Sequence, residues 1–225
     1  MQLSALRLRA TFVGLTCLLL TACGPSIYLA KDFRTYAPMH KTVAVLPADV
    51  TILLRPNQAR KTTLDEQREM EARTSLDYQS RIYSWLLRRG QQRHYTVQFQ
   101  DVQQTNALLR EGNISTAELR SRTPQDFAKI LGVDAVLTTR VNTSKPMSEG
   151  AAVALGVASA MMGVAILGAT NQANITVNIH EGGAGTLLWK YDYLATGSIF
   201  SSPAAIVDAL MRNASRKFPY TPPKP

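Results

Sequence analysis

Apolar residues run along this chain in three rhythms. Strict alternation, the mark of a half-buried strand, occupies 174–180 (Asn-Ile-Thr-Val-Asn-Ile-His), and 187–194 (Leu-Leu-Trp-Lys-Tyr-Asp-Tyr-Leu) alternates again after its first residues. Glu181-Gly182-Gly183-Ala184-Gly185 lies between them, so the pair reads as a hairpin. A nearly continuous apolar run rich in β-branched residues, 42–47 (Thr-Val-Ala-Val-Leu-Pro), fits a strand buried on both faces, with 50–54 continuing it or pairing alongside, and 133–141 reads as a second strand. A weaker alternation in 94–100 predicts another strand. Helical spacing fills the intervals. Thr63-Leu64-Asp65-Glu66 has the capping-box pattern, and Leu76, Ile82, Tyr83, Leu86 and Leu87 form a stripe, which predicts one long helix over about 63–89, ahead of Gly90. Asp101 caps a helix holding Leu108 and Leu109, and Thr123-Pro124 opens one that carries Phe127, Ile130 and Leu131 to Gly132. Ser202-Pro203 starts a last helix, with Ile206, Val207, Leu210, Met211, Ala214 and Phe218 on one face. Arg55-Pro56-Asn57 reads as a loop and 219–225, rich in proline, as a stiff extended tail. Strands alternating with helices predict an α/β (α+β) fold: one layered domain over 42–218, its small mixed sheet packed by the long helix and the C-terminal helix.

Two apolar stretches break this pattern. Residues 12–20 follow Arg7 and Arg9 and end in Leu20-Thr21-Ala22-Cys23, the layout of a secretory signal peptide over 1–22. A bilayer span needs about 20 residues, so this run is short for one. The second stretch, 151–169, holds Ala, Val, Leu, Gly, Met and Ile with one serine, and no charged side chain stands between Glu149 and Glu181. Ala152, Gly156 and Ala160 make a small-xxx-small row that permits close helix packing. Three readings stay open: an insert buried in the domain or in an oligomer interface, a hairpin or helix entering the membrane from an assembled oligomer, and a single span. The last would put the strands of 174–194 across the membrane from those they pair with.

Cysteine usage sharpens the picture. The chain has two cysteines, Cys17 inside the leader and Cys23 at its end, which leaves none for a disulfide, a thiol nucleophile or a cysteine metal site. The formal net charge is +9, and the leader accounts for only two of these charges, Arg7 and Arg9. A basic surface suits anionic partners such as phospholipid head groups, lipopolysaccharide, acidic proteins or glycans.

Little in the sequence points to catalysis. The three histidines, His40, His94 and His180, sit in separate segments without metal-ligand spacing. No Gly-x-Ser-x-Gly elbow occurs. Gly182, Gly183 and Gly185 follow a strand but precede another strand, so they read as a turn and not as a phosphate loop. Asp65 and Glu66 are neighbours that cannot face each other on a helix. Trp189, Tyr191 and Tyr193 share one strand face; such a stripe is core, or else a binding face for a glycan or a partner strand.

Leu20-Thr21-Ala22-Cys23 resembles the lipobox of bacterial lipoproteins. The resemblance implies cleavage before Cys23, a diacylglycerol thioether on its sulfur and an acyl chain on its new amine, with residues 23–41 as the lipidated tether. Each buried methylene of such chains is worth about 0.8 kcal/mol. Gly24 replaces the aspartate that retains enterobacterial lipoproteins in the inner membrane, which implies the outer membrane, with the domain facing the periplasm or the cell surface. Val43-Ala44-Val45-Leu46-Pro47 also resembles the opening strand of the curli-secretion lipoproteins and of the lipoprotein activators of penicillin-binding proteins. The stretch 127–137 resembles their helix running into a "GAD-hydrophobic" strand, and Leu187-Leu188-Trp189 their third shared strand, with the closing helix running to Lys217-Phe218-Pro219. The same set is similar to neisserial surface lipoproteins that share the layered fold of the Tol translocation protein's N-terminal domain. The implied function is non-enzymatic and cofactor-free: binding, scaffolding or regulating an envelope transport or assembly system. The implied partners are the membrane through Cys23, an envelope protein and other copies of the chain, and no nucleic acid. The alternatives are a self-assembling secretion channel, with 151–169 meeting lipid, and a cell-wall hydrolase. The insert does not alternate as a barrel hairpin would, which counts against a β-barrel pore.

Overall fold

A computed structural model describes residues 26–144, 161, 171–197 and 203–222. The leader, Cys23, and the apolar insert apart from Met161 lie outside the described residues. The described chain forms a single mixed α/β domain around a seven-stranded sheet. In chain order it contains β1 (Ser26–Leu29), α1 (Phe33–Tyr36), β2 (Thr42–Val45), β3 (Asp49–Leu53), α2 (Pro56–Ala59), α3 (Leu64–Arg93), β4 (Gln98–Phe99), α4 (Val102–Glu111), α5 (Pro124–Leu131), β5 (Ala135–Ser144), β6 (Asn171–Glu181), β7 (Leu187–Gly197) and α6 (Pro203–Ala214), with short 3-10 turns between some of them.

The strand order is β1-β7-β6-β5-β2-β4. Strands β5, β6, β7 and β1 are antiparallel neighbours, whereas β2 pairs parallel with both β5 and β4. Beyond Pro47 the chain resumes as β3, again parallel to β5 but beside its second half, Arg140–Ser144. A single β5 thus backs both halves of a strand that Pro47 interrupts.

Two cores flank the sheet. On one face, Tyr78, Ile82 and Leu86 of α3 and Ile206, Val207, Leu210 and Met211 of α6 close over Val43, Val45, Leu137, Val141, Ile175, Val177 and Ile179. The Trp85 indole of α3 donates to Asp208 of α6 at 2.8 Å, tying the two helices together. On the other face, Leu109 of α4 and Phe127, Ala128 and Leu131 of α5 cover Ala44, Leu46 and Val136. The two helices expected against the sheet are those of the first layer, and α4 and α5 make the second.

The helix ends follow local chemistry. At α3, Thr63 Oγ1 accepts from the Glu66 amide and the Glu66 carboxylate accepts from the Thr63 amide at 2.8 Å. The same box recurs at α5 with Thr123 and Asp126, and Gly132 closes that helix with φ +64. Helix α3 does not stop before Gly90 as its sequence suggests. It runs to Arg93, and His94 ends it in the left-handed region at φ 52. Gly90 serves packing instead, because a Cβ there would stand 3.3 Å from the Tyr95 ring.

Two ends of the chain enter the fold more deeply than their composition suggests. Ser26–Leu29, in the segment read as tether, pairs with β7 from Ser26↔Asp192 to Leu29↔Trp189. Tyr220, in the segment read as tail, is only 1% exposed. Its ring lies edge-on to Phe33 at 5.2 Å, and its hydroxyl is 2.6 Å from His40 Nδ1. Residues 56–59, read as loop, form the single helical turn α2.

Candidate functional site

The fold gathers polar chemistry at one end of the sheet, where α5, the β6–β7 turn and the entry to β2 meet. The Asp134 carboxylate accepts from the backbone amides of Lys41 and Thr42, both at 2.8 Å. Burial would raise the Asp134 pKa, but those two amides and the nearby His40 and Lys41 outweigh it and hold the carboxylate below its ordinary value. The Glu181 carboxylate folds back onto the amides of Gly183 and Ala184 in its own turn. Burial lowers the pKa of His40 despite the opposing charges of Asp134 and Glu181. Burial raises the Tyr220 hydroxyl, and the same two carboxylates add to the effect.

This cluster of His40, Asp134, Glu181 and Tyr220 lines or borders a shallow hollow with Gly182, Gly183 and Lys129, yet its groups are already engaged. The carboxylates cap backbone amides, and the histidine and tyrosine hold each other. It therefore works as a latch, with Asp134 holding the entry to β2 and His40 holding Tyr220 of the segment after α6. Among the described residues no group of three or more His, Cys, Asp or Glu side chains is placed to hold a metal ion.

The glycines of the turn have structural jobs. A Cβ on Gly182 would fall 2.7 Å from the Asp134 carbonyl oxygen and 2.9 Å from Ala128 Cβ. Gly185 takes φ +69, which closes the hairpin. Gln125 Nε2 donates to the Gly183 carbonyl at 2.6 Å, so the turn is clamped to α5.

The aromatic stripe is core. Trp189 and Tyr191 are fully buried and Tyr193 partly so, beneath α6 and next to Phe218, whose ring is 5.9 Å from Trp189. The expectation of a binding face is therefore corrected for Trp189 and Tyr191, whose side chains lie in the core with α6 and Phe218. The Trp189 indole N–H and the Tyr191 hydroxyl have no hydrogen-bond partner there.

A second concavity of about 470 Å³ opens between α3, β3, α2 and the ends of β5 and β6. Its wall is mainly apolar, with Ile52, Leu53, Met70, Tyr78 and Ile206, and Lys61 contributes to its lining. The Tyr78 hydroxyl is buried without a partner, and burial pushes its pKa up to about 12. The flanking edge of β3 is held by α3, since Gln67 donates to the Ile52 carbonyl and Glu71 accepts from the Ile52 amide at 2.9 Å.

The first described strand has its own geometry. Cys23 lies outside the described residues, but β1 begins only three positions later, at Ser26. All four residues of β1 are exposed, including Ile27 at 43%, Tyr28 at 50% and Leu29 at 51%. Sequence reading missed this element, because a four-residue strand exposed on both faces has no alternation to find.

No protein-family model and no curated protein sequence matches the chain. Several solved structures do. The PelC dodecamer from Paraburkholderia phytofirmans is 11% identical over 84% of this chain and 92% of its own, with a TM-score of 0.41. Lipoprotein GNA1162 from Neisseria meningitidis is 14% identical over 79% of this chain and 96% of its own, with a TM-score of 0.38. The LpoB C-terminal domain from Escherichia coli is 10% identical over 74% of this chain and 99% of its own, with a TM-score of 0.33. Likeness at this level carries no conclusion about activity or partners.

Proposed function

We propose that this protein is an envelope lipoprotein, acylated at Cys23, that works by holding a compact binding domain against a membrane and not by catalysis. The observation that carries the reading is Leu20-Thr21-Ala22-Cys23 at the end of a basic-then-apolar leader, in a chain whose other cysteine, Cys17, lies inside that leader. The absence of an aspartate after the cysteine favours the outer membrane. The polar cluster fits a structural role in this reading, because its carboxylates and its histidine are committed to internal hydrogen bonds. The partner in this reading is an envelope protein reached at the membrane surface.

The test is acyl labelling of the full chain in a Gram-negative host with a clickable fatty acid, followed by intact mass. The wild type takes up label and gains the mass of a diacylglycerol and an acyl chain on a chain starting at Cys23. Cys23→Ala takes up none and leaves the membrane fraction. Label retained by Cys23→Ala refutes the reading.

A further inference from the structure

We infer that β1 is a membrane foot: its exposed edge rests in the lipid headgroup layer, and the sheet stands edge-on above it. The inference rests on acylation of Cys23, proposed above, and adds to it the orientation of the domain.

The argument is one of reach. Consecutive Cα atoms are about 3.8 Å apart and an extended chain spans about 3.3–3.6 Å per residue, so three residues cover about 10 Å at most. Cys23 at the bilayer surface therefore holds Ser26 within about 10 Å of it. Ser26 is itself part of the sheet, paired with Asp192. A tether of eighteen residues would let the domain roam; two intervening residues, Gly24 and Pro25, hold it down.

The surface brought there suits lipid. In the antiparallel register Ile27 and Leu29 face the same side as Tyr191 and Trp189, and Tyr28 faces the opposite side with Lys190. The edge thus presents apolar side chains on both faces, an arrangement that in bulk water invites edge-to-edge pairing. Lys31 and Arg34, both exposed, follow directly, with Asp32 between them. Two cations beside an apolar strip match a layer of lipid phosphates over acyl chains, and tyrosine is at home at that depth. The outward backbone groups of β1 need hydrogen bonds, so the strip lies among head groups and water and not in the hydrocarbon.

The remaining strands then rise from the membrane in the order β7, β6, β5, β2, β4. With neighbours about 4.8 Å apart, β4 stands about 24 Å above β1. Partners that meet β1 and β7 sit at the lipid surface, and those that meet β4 and α4 reach further into the compartment.

The experiment uses the free-thiol count. In the acylated chain the Cys23 sulfur is blocked, so Tyr28→Cys or Gln103→Cys supplies the one reactive thiol. Each acylated full chain is labelled with a polarity-sensitive fluorophore and reconstituted in vesicles of phosphatidylethanolamine and phosphatidylglycerol. The label at 28 is expected to emit blue-shifted and to be quenched severalfold less by aqueous iodide than the label at 103. Adding Leu29→Glu, an exposed position where folding tolerates the change, is expected to raise quenching at 28 towards that at 103, with the far-UV spectrum unchanged. Equal quenching at 28 and 103 in an acylated chain overturns the foot and leaves the anchor standing. Shielding at 28 accompanied by label-to-label energy transfer between copies also overturns it, in favour of β1 pairing with a second copy. A chain whose mass shows no acyl groups removes the anchor reading and the foot together.

Discussion

Replacing Tyr220 tests how the end of the chain holds the fold. The side chain is 1% exposed, lies 5.2 Å from the Phe33 ring and 5.5 Å from the Phe218 ring, and reaches His40 Nδ1 at 2.6 Å. Tyr220→Ala removes a fully buried aromatic ring, a change that costs about 3–5 kcal/mol in a core that cannot collapse around the gap. It also leaves the buried His40 nitrogen without its partner, which places the cost towards the upper end. Tyr220→Phe keeps the ring but leaves the same His40 nitrogen without its partner, for about 1–2 kcal/mol. Each kcal/mol moves Tm by about 2–4 °C in a domain of this size. The alanine variant should therefore melt about 10 °C or more below the parent, and the phenylalanine variant a few degrees below. The assay is urea unfolding followed by far-UV circular dichroism on the mature chain bearing Cys23→Ser, so that acyl groups do not interfere. If both variants fall within about 0.5 kcal/mol of the parent, the range expected for a surface change, Tyr220 is not part of the core and the latch is refuted.

Two further predictions follow from the same end of the sheet. Gly182→Ala puts a Cβ 2.7 Å from the Asp134 carbonyl and 3.0 Å from that of Val133, both backbone atoms that cannot swing away, so stability falls by about 1–3 kcal/mol in the same urea assay. Stability should also decline in mild acid. Burial keeps His40 and His180 below their ordinary 6.5, with Asp134 and Glu181 opposing at His40 and the Gly185 carbonyl opposing at His180. The unfolded chain therefore takes up protons before the folded one, and stability present above 6.5 is lost as pH falls from there through the folded values. Asp134 acts in a separate window, its contribution present above 3.8 and lost as pH falls below that. A Tm that stays flat between about pH 7 and 5 would contradict the histidine part.

Most of the element list is legible in the sequence because its signals are local. The capping box at Thr63, Pro124 at the first helical position and the alternation of Ile175, Val177 and Ile179 each fix a backbone conformation through neighbours a few residues away. The same locality explains the lipobox reading of Cys23, which needs only the order of residues before it. The β6–β7 hairpin is legible for that reason too, with Gly185 at φ +69 where the turn demands it.

Other features depend on distant partners. Ser26–Leu29 becomes a strand only because β7 offers it an edge, and nothing in the four residues between Pro25 and Ala30 encodes that pairing. Tyr220 looks like part of a proline-rich tail until His40, 180 positions away, comes within hydrogen-bond distance. Gly90 reads as a helix stop and becomes a packing site once Tyr95 lies against it. Trp189 and Tyr191 carry the same period-two signal whether they face a ligand or a helix, and it is α6 that buries them. By itself the sequence determined backbone conformations set by near neighbours, and it carries the residue pattern on which the proposed leader rests. Only the tertiary structure decided which faces are covered, because burial is a property of what packs opposite and not of the residue buried.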